Sequence, residues 1–214
     1  ALPVDFARDH LQRIHAGLTA AGRPFGCELI GGDLTRWRSP AGRFAINVTM
    51  LSKPSGHHPP VRRNGAAVGD FICVTGTLGG SRAGRHLTFT PRVVEALAIT
   101  RAVRVHAMMD LSDGLSTDLN RLCTQSRVGA IVELDTLPVS EAARSADDPC
   151  AAALNDGEDF ELLFTISPEA FDRLPGLKEA PVTRIGTITD TGELRARQPD
   201  GQITDLHPGG YDHL

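Results

Sequence analysis

Three groups of carboxylates carry the strongest chemical signal in this sequence. Asp33 follows Gly31-Gly32; Asp110 and Asp113 lie in the run Asp110-Leu111-Ser112-Asp113-Gly114; Asp156, Glu158 and Asp159 stand together further on. Each group adjoins an apolar run that reads as a strand, and loops at strand ends are where sites are usually built. Clustered carboxylates repel one another unless a cation neutralises them. Hard oxygen donors of this kind suit Mg²⁺, and Mg²⁺ suits phosphate substrates. Taken singly, each group reads more readily as turn or cap residues, where Asp is common; the three together favour a metal–phosphate site.

The segment from Asp110 to Gly114 is the most informative. In an extended backbone Asp110 and Ser112 point the same way. Ser112 is a good N-cap for the helix that follows, and a helix N-terminus favours anions through its free N–H groups and dipole. The cap accounts for Ser112 but leaves Asp110 unexplained. Arg62-Arg63 can reach a phosphate tail or stand as a solvated pair. Thr75–Ser81 is a glycine-rich turn that can hold phosphate on backbone N–H groups, although it lacks the G-K-[ST] ending of a Walker A loop. His57 and His58 sit in a Pro-rich loop and read as solvated linker residues. No Ser/His/Asp arrangement argues for hydrolysis, and no general base stands out. Phosphoryl transfer needs little of one, because positioning and charge neutralisation supply most of the rate.

The elements that must position these residues follow from periodicity. Asp5–Gly22 reads as a helix, with Phe6, Leu11, Ile14 and Leu18 near one face. Cys27–Ile30 and Phe44–Leu51 read as strands. A loop rich in Pro, Gly and Ser follows, and the boundary between two lobes is placed there, giving domains 1–55 and 56–214. In the second lobe Phe71–Thr75, Gly129–Val139, Phe160–Ile166 and Val182–Asp190 read as strands, and Pro91–His106 as a helix. A further helix after Gly114 carries Leu115, Leu119, Leu122 and Cys123 on one face. Ser167-Pro168 opens a short helix, and Pro199-Asp200-Gly201 turns a hairpin. Helices and strands alternate, with antiparallel pairs near the end, so the class is α+β.

The chain has 214 residues, formal net charge −4, and 41% hydrophobic and 22% charged residues, as expected of a globular chain able to bury a core. No stretch combines Lys and Arg with aromatics, so nucleic acid is not expected as a partner. No apolar run is long enough to span a membrane and no signal peptide is seen. Four scattered cysteines, without a C-x-x-C pair, read as free thiols of a reducing compartment. The cytoplasm is the expected location.

These motifs resemble the thiamine-monophosphate kinase family, in the superfamily of aminoimidazole ribonucleotide synthetase. The resemblance rests on Leu29-Ile30-Gly31-Gly32-Asp33-Leu34-Thr35-Arg36; Arg62-Arg63-Asn64-Gly65-Ala66 with Gly69-Asp70; Val74-Thr75-Gly76-Thr77-Leu78-Gly79; Met109-Asp110-Leu111-Ser112-Asp113-Gly114-Leu115; Gly157-Glu158-Asp159-Phe160-Glu161-Leu162; and Gly210-Tyr211-Asp212-His213. It implies a partial N-terminal αβ lobe followed by the complete C-terminal α/β lobe of the aminoimidazole ribonucleotide synthetase-like fold. It implies ATP-dependent phosphorylation of thiamine monophosphate, with Mg²⁺, in a homodimer. By residue, it implies ATP contacts from Gly32, Asp33, Arg63 and Ser112, Mg²⁺ ligands in Asp33, Asp110 and Asp113, and thiamine-phosphate contacts from Glu158 and Tyr211. The family's G-D-D and S-T-D segments, and a further Asp, all metal ligands, do not occur here. The expectation is therefore that this chain alone is poorly active or inactive as a kinase unless another polypeptide supplies the rest. Its alternatives are a superfamily relative with another substrate and a non-catalytic remnant.

Overall fold

A computed structural model describes residues 1–39, 41–54, 56–174, 176–178 and 180–211, which fall into two compact units, Ala1–Lys53 and Pro54–Leu214. In the first unit, helix α1 (Arg8–Gly22) has no buried side chain. Phe6 stacks on Phe44 with ring centroids 5.2 Å apart. The runs Cys27–Ile30 and Phe44–Leu51, expected as strands, form no ladder. A strand is stable only with a neighbour to bond it, and among the described residues of this unit these runs find one at a single position, where Ala45 exchanges backbone bonds with Ala1 (3.0 and 2.7 Å). The apolar side chains of these runs are accordingly exposed, Ile30 at 83% and Leu51 at 83%.

The second unit is built on one seven-stranded sheet. Its strands are β1 (Phe71–Thr75), β2 (Ala107–Asp110), β3 (Gly129–Glu133), β4 (Leu162–Ile166), β5 (Val182–Thr189), β6 (Leu194–Arg197) and β7 (Ile203–Asp205), in the order β2-β4-β1-β5-β3-β6-β7. Every neighbouring pair is antiparallel except β3 and β6, which run parallel. The helices are α2 (Val93–Ala102), α3 (Leu115–Ser126), α4 (Pro149–Asn155) and α5 (Pro168–Phe171). Side chains alternate across the strands, so each face of the sheet buries its own core. Ile72, Val74, Met109, Leu163, Ile185 and Ile188 pack with Leu115, Leu119 and Leu122 of α3. Cys73, Phe164 and Ile166 pack on the other face with Ile99 of α2 and Ala170 of α5. The α+β class and the sheet flanked by helices agree with the sequence reading.

Several boundaries differ from it. The helix expected over 91–106 stops at Ala102, because Val103 turns extended and Val103 and Val105 bury their branched side chains in the α2 core. The strand expected over 129–139 ends at Glu133, where a 3₁₀ turn over Leu134–Thr136 lifts the chain off the sheet. β4 begins at Leu162, since Phe160 is left-handed with a φ of 50° and cannot continue a ladder. The hairpin at Pro199-Asp200-Gly201 joins β6 to β7 as expected.

Candidate functional site

Asp110 is the last residue of β2, opposite Leu162 of β4. It is exposed, and its carboxylate has no hydrogen bond or ion pair among the described residues. Beyond it the pairing of the two strands continues as loop contacts. Leu111 N–H donates to Glu161 O (2.9 Å), Phe160 N–H to Leu111 O (2.8 Å) and Glu158 N–H to Ser112 O (2.8 Å). This seam carries Glu158 onto the Asp110–Asp113 loop. It needs a glycine at 157, where φ is 73° and a Cβ would stand 3.0 Å from Ser112 O.

Ser112 does not cap the next helix. The N-cap of α3 is Gly114, with a φ of 103° and no side-chain bond. Asp118, in the first turn of α3, closes the loop instead. Its carboxylate accepts from Ser112 N–H (3.0 Å) and Asp113 N–H (2.9 Å). Arg121 Nη1 donates to Asp118 Oδ1 (2.9 Å) and to the carboxylate of Asp113. Burial pushes the Asp118 carboxyl above its usual range in spite of these donors, and the bond to Asp113 holds the Arg121 guanidinium more firmly charged. The C-terminal segment lies across the same helix end. Gly209 N–H donates to Ser116 Oγ (3.0 Å), Gly210 N–H to Thr117 Oγ1 (3.1 Å) and Tyr211 N–H to Asp113 O (2.9 Å). Tyr211 is half exposed there. Asp212 and His213, the end of that motif, lie outside the described residues.

The neighbours of Glu158 serve a different purpose. Asp159 is buried; it accepts from Gly79 N–H (3.0 Å), Ser81 Oγ (2.8 Å) and Arg85 Nη2 (2.8 Å). Burial raises its carboxyl above the ordinary range, against those donors. Asp156 accepts from Gly80 N–H (2.8 Å). Glu161, also buried, accepts from Nε and Nη2 of Arg92 (2.8 and 2.7 Å) and from the Thr75 hydroxyl (2.8 Å). Two expectations are thereby corrected. Asp156 and Asp159 are structural anchors, and the amides of Gly79 and Gly80, expected to suit a phosphate, are occupied by those carboxylates. Phe160, between the anchors, stacks on Phe89 with centroids 4.2 Å apart.

The structure thus brings together Asp110, Ser112, Asp113, Glu158 and Tyr211. Arg63 is exposed, and its carbonyl accepts from the hydroxyl of Ser126 (3.1 Å) at the far end of α3, which at 12 residues is about 18 Å long. Gly32 and Asp33 belong to the first unit, in an exposed extended run where the Thr35 hydroxyl donates to Asp33 Oδ2 (3.2 Å). Sequence reasoning passed over Asp118 and Arg121, although their i, i+3 spacing on a helix is a readable signal. Arg85 and Arg92 meet their carboxylates across long loops and left no such sign.

No group of three or more His, Cys, Asp or Glu side chains that could hold an ion occurs among the described residues. Mg²⁺ keeps several waters and binds through one or two carboxylates plus substrate phosphates. The unpaired carboxylate of Asp110 fits that sparse mode; Asp113, already neutralised by Arg121, fits it less well. Among the described residues no helix is long and apolar enough to cross a membrane.

Residues 64–198 match the family described as AIR synthase related protein, C-terminal domain. The chain is 38% identical to the thiamine-monophosphate kinase of Rhodopirellula baltica, with all of this chain covered and 67% of the relative. It is 35% identical to that of Synechococcus elongatus, covering all of this chain and 71% of the relative. Among solved structures, AaThiL complexed with AMPPCP and TMP superimposes with a TM-score of 0.74 at 26% identity, over 100% of this chain and 71% of that one. The chain thus spans about two thirds of the length of the curated relatives it matches.

Proposed function

Since the chain belongs to the thiamine-monophosphate kinase family, we propose that it binds ATP and thiamine monophosphate and serves transfer of the γ-phosphoryl group to the thiamine phosphate. The observation that carries this reading is the seam joining the Asp110–Asp113 loop to Glu158 and Tyr211. It sets a free carboxylate suited to a metal–phosphate group beside a carboxylate and a phenol ring suited to a cationic, flat ligand. Thiamine is such a ligand, because its thiazolium ring is positively charged. Glu158 supplies the opposite charge and Tyr211 a π face.

The acceptor explains the lack of a general base. A phosphate monoester loses its second proton near pH 6, so its oxygen attacks the γ-phosphorus already ionised. The new P–O bond forms as the bond to ADP breaks, and no proton need be removed. Bound Mg²⁺ would neutralise charge on the transferring group. Asp110 would hold it, and the reading extends that role to Asp33 and Asp113, with ATP contacts from Gly32, Arg63 and Ser112. The pairing of Asp113 with Arg121 is the feature that argues against its share. Two copies acting as a homodimer, in the cytoplasm, complete the reading. The exposed apolar runs of the first unit favour the former and four free cysteines the latter.

Calorimetric titration tests the assignment. Thiamine monophosphate and a non-hydrolysable ATP analogue with Mg²⁺ should each bind. Glu158→Ala should weaken the first at least tenfold and spare the second; Asp110→Asn should do the reverse. Binding of neither ligand, or indifference to both substitutions, overturns it.

A further inference from the structure

A cleft of about 770 Å³ opens where the segment 58–65 passes the C-terminal end of α2 and the residues leading into β2. This is the opposite end of β2 from Asp110. Arg62, Arg101, Arg104 and Arg173 line the cleft with His58 and His106, and no Asp or Glu does. Asp70 lies behind the wall, already paired with His106 Nδ1 at 2.8 Å. The guanidiniums of Arg62, Arg101 and Arg104 have no hydrogen bond or ion pair among the described residues. Among the described residues Arg173 is drawn towards exposed Glu169, whose carboxyl it helps lower after the hydrogen bonds from the Glu169 amide and Ser167. Three uncompensated guanidiniums and a fourth drawn towards Glu169, around one hollow in a chain of net charge −4, make a local positive patch that favours an anion.

The chemistry of the lining selects the anion. Guanidinium groups bind phosphoryl oxygens in pairs, two parallel N–H···O bonds at a time. Four of them match two phosphoryl groups; a single phosphate would leave half the donors unmet. The volume lies within the usual range for small-ligand sites. The carbonyl end of α2 opposes an anion here, but that dipole is worth about half a charge against four full ones. We propose that this cleft binds a diphosphate group, at a site separate from the one at the end of β2.

Titration of the full chain with inorganic pyrophosphate, in low-salt buffer without Mg²⁺, tests this. The expected result is saturable binding that weakens at least tenfold in the double variant Arg101→Ser, Arg104→Ser and changes less than twofold in Asp110→Asn. Both arginines are exposed, so the double variant should melt with the native chain, and its melting midpoint checks this. Undiminished binding by the double variant, loss of binding in Asp110→Asn, or no saturable binding by the native chain overturns the proposal. ADP titrated against pyrophosphate in Asp110→Asn then identifies the source. Competition means that the cleft accepts the diphosphate of a nucleotide; its absence means that it takes the free anion. Because Asp110 and the arginines are varied separately, failure here leaves the kinase reading standing, and the converse.

Discussion

The backbone at Glu158 has a φ of 55°, and two residues on Phe160 repeats it at 50°. A side chain in this left-handed region costs about 1–2 kcal/mol, so something must hold both residues there. The clamps are Asp159 and Glu161, each buried and bonded to an arginine, together with the seam to Leu111 and Ser112. The motif Glu158-Asp159-Phe160-Glu161 is therefore two tethers alternating with two strained residues, one of which carries the proposed ligand contact. Strain of this kind concentrates at functional sites. Glu158→Gly should relieve it. Net of the entropy glycine loses on folding, urea denaturation should show a gain of about 1 kcal/mol, while thiamine-phosphate binding falls at least tenfold. A loss of stability would remove the claim of strain.

Among the elements, α3 does the most to shape the site, and it does so from its first turn. Asp118 reaches back to two loop amides, holds Arg121, and so fixes the carboxylate of Asp113. Asp118→Ala removes a buried charged acceptor from three donors and should cost about 3 kcal/mol. Hydrogen exchange at the Ser112 and Asp113 amides should quicken well beyond the global loss. Exchange no faster than the rest of α3 would show that the loop holds itself. The element level also marks what was legible in the sequence. The apolar face of α3, the alternation over β4 and the β6–β7 turn are local patterns, and all three elements formed. The runs at 27–30 and 44–51 carry equally good strand patterns, but a pattern cannot supply a partner. In the same way, the sequence shows that Gly79 and Gly80 offer amides, without showing that Asp156 and Asp159, from far along the chain, would take them.

Across the whole molecule, the sheet seals off two of its thiols. Burial pushes Cys73 and Cys123 up to about 12, from an ordinary value of 9.0, against a smaller opposing pull of Arg184 on Cys73. The unfolded chain gives up these protons first. Their contribution to stability is whole below pH 9.0 and drains away as the pH climbs towards 12. Denaturant midpoints should therefore fall across that alkaline window, and replacing both cysteines with Ala should flatten the fall. Under native conditions a thiol reagent should label exposed Cys27 first and leave Cys73 and Cys123 untouched; rapid labelling of all four would contradict the burial. The order of the sheet has a further consequence, for synthesis. Central β1 leans on β4 and β5, pairing Phe71 with Ile166 and Thr75 with Val182, partners on the order of a hundred residues later in the chain. At ~5–20 residues per second of translation, this apolar strand leaves the ribosome many seconds before its sheet partners exist to receive it. Until then it is a sticky ribbon for a chaperone to guard.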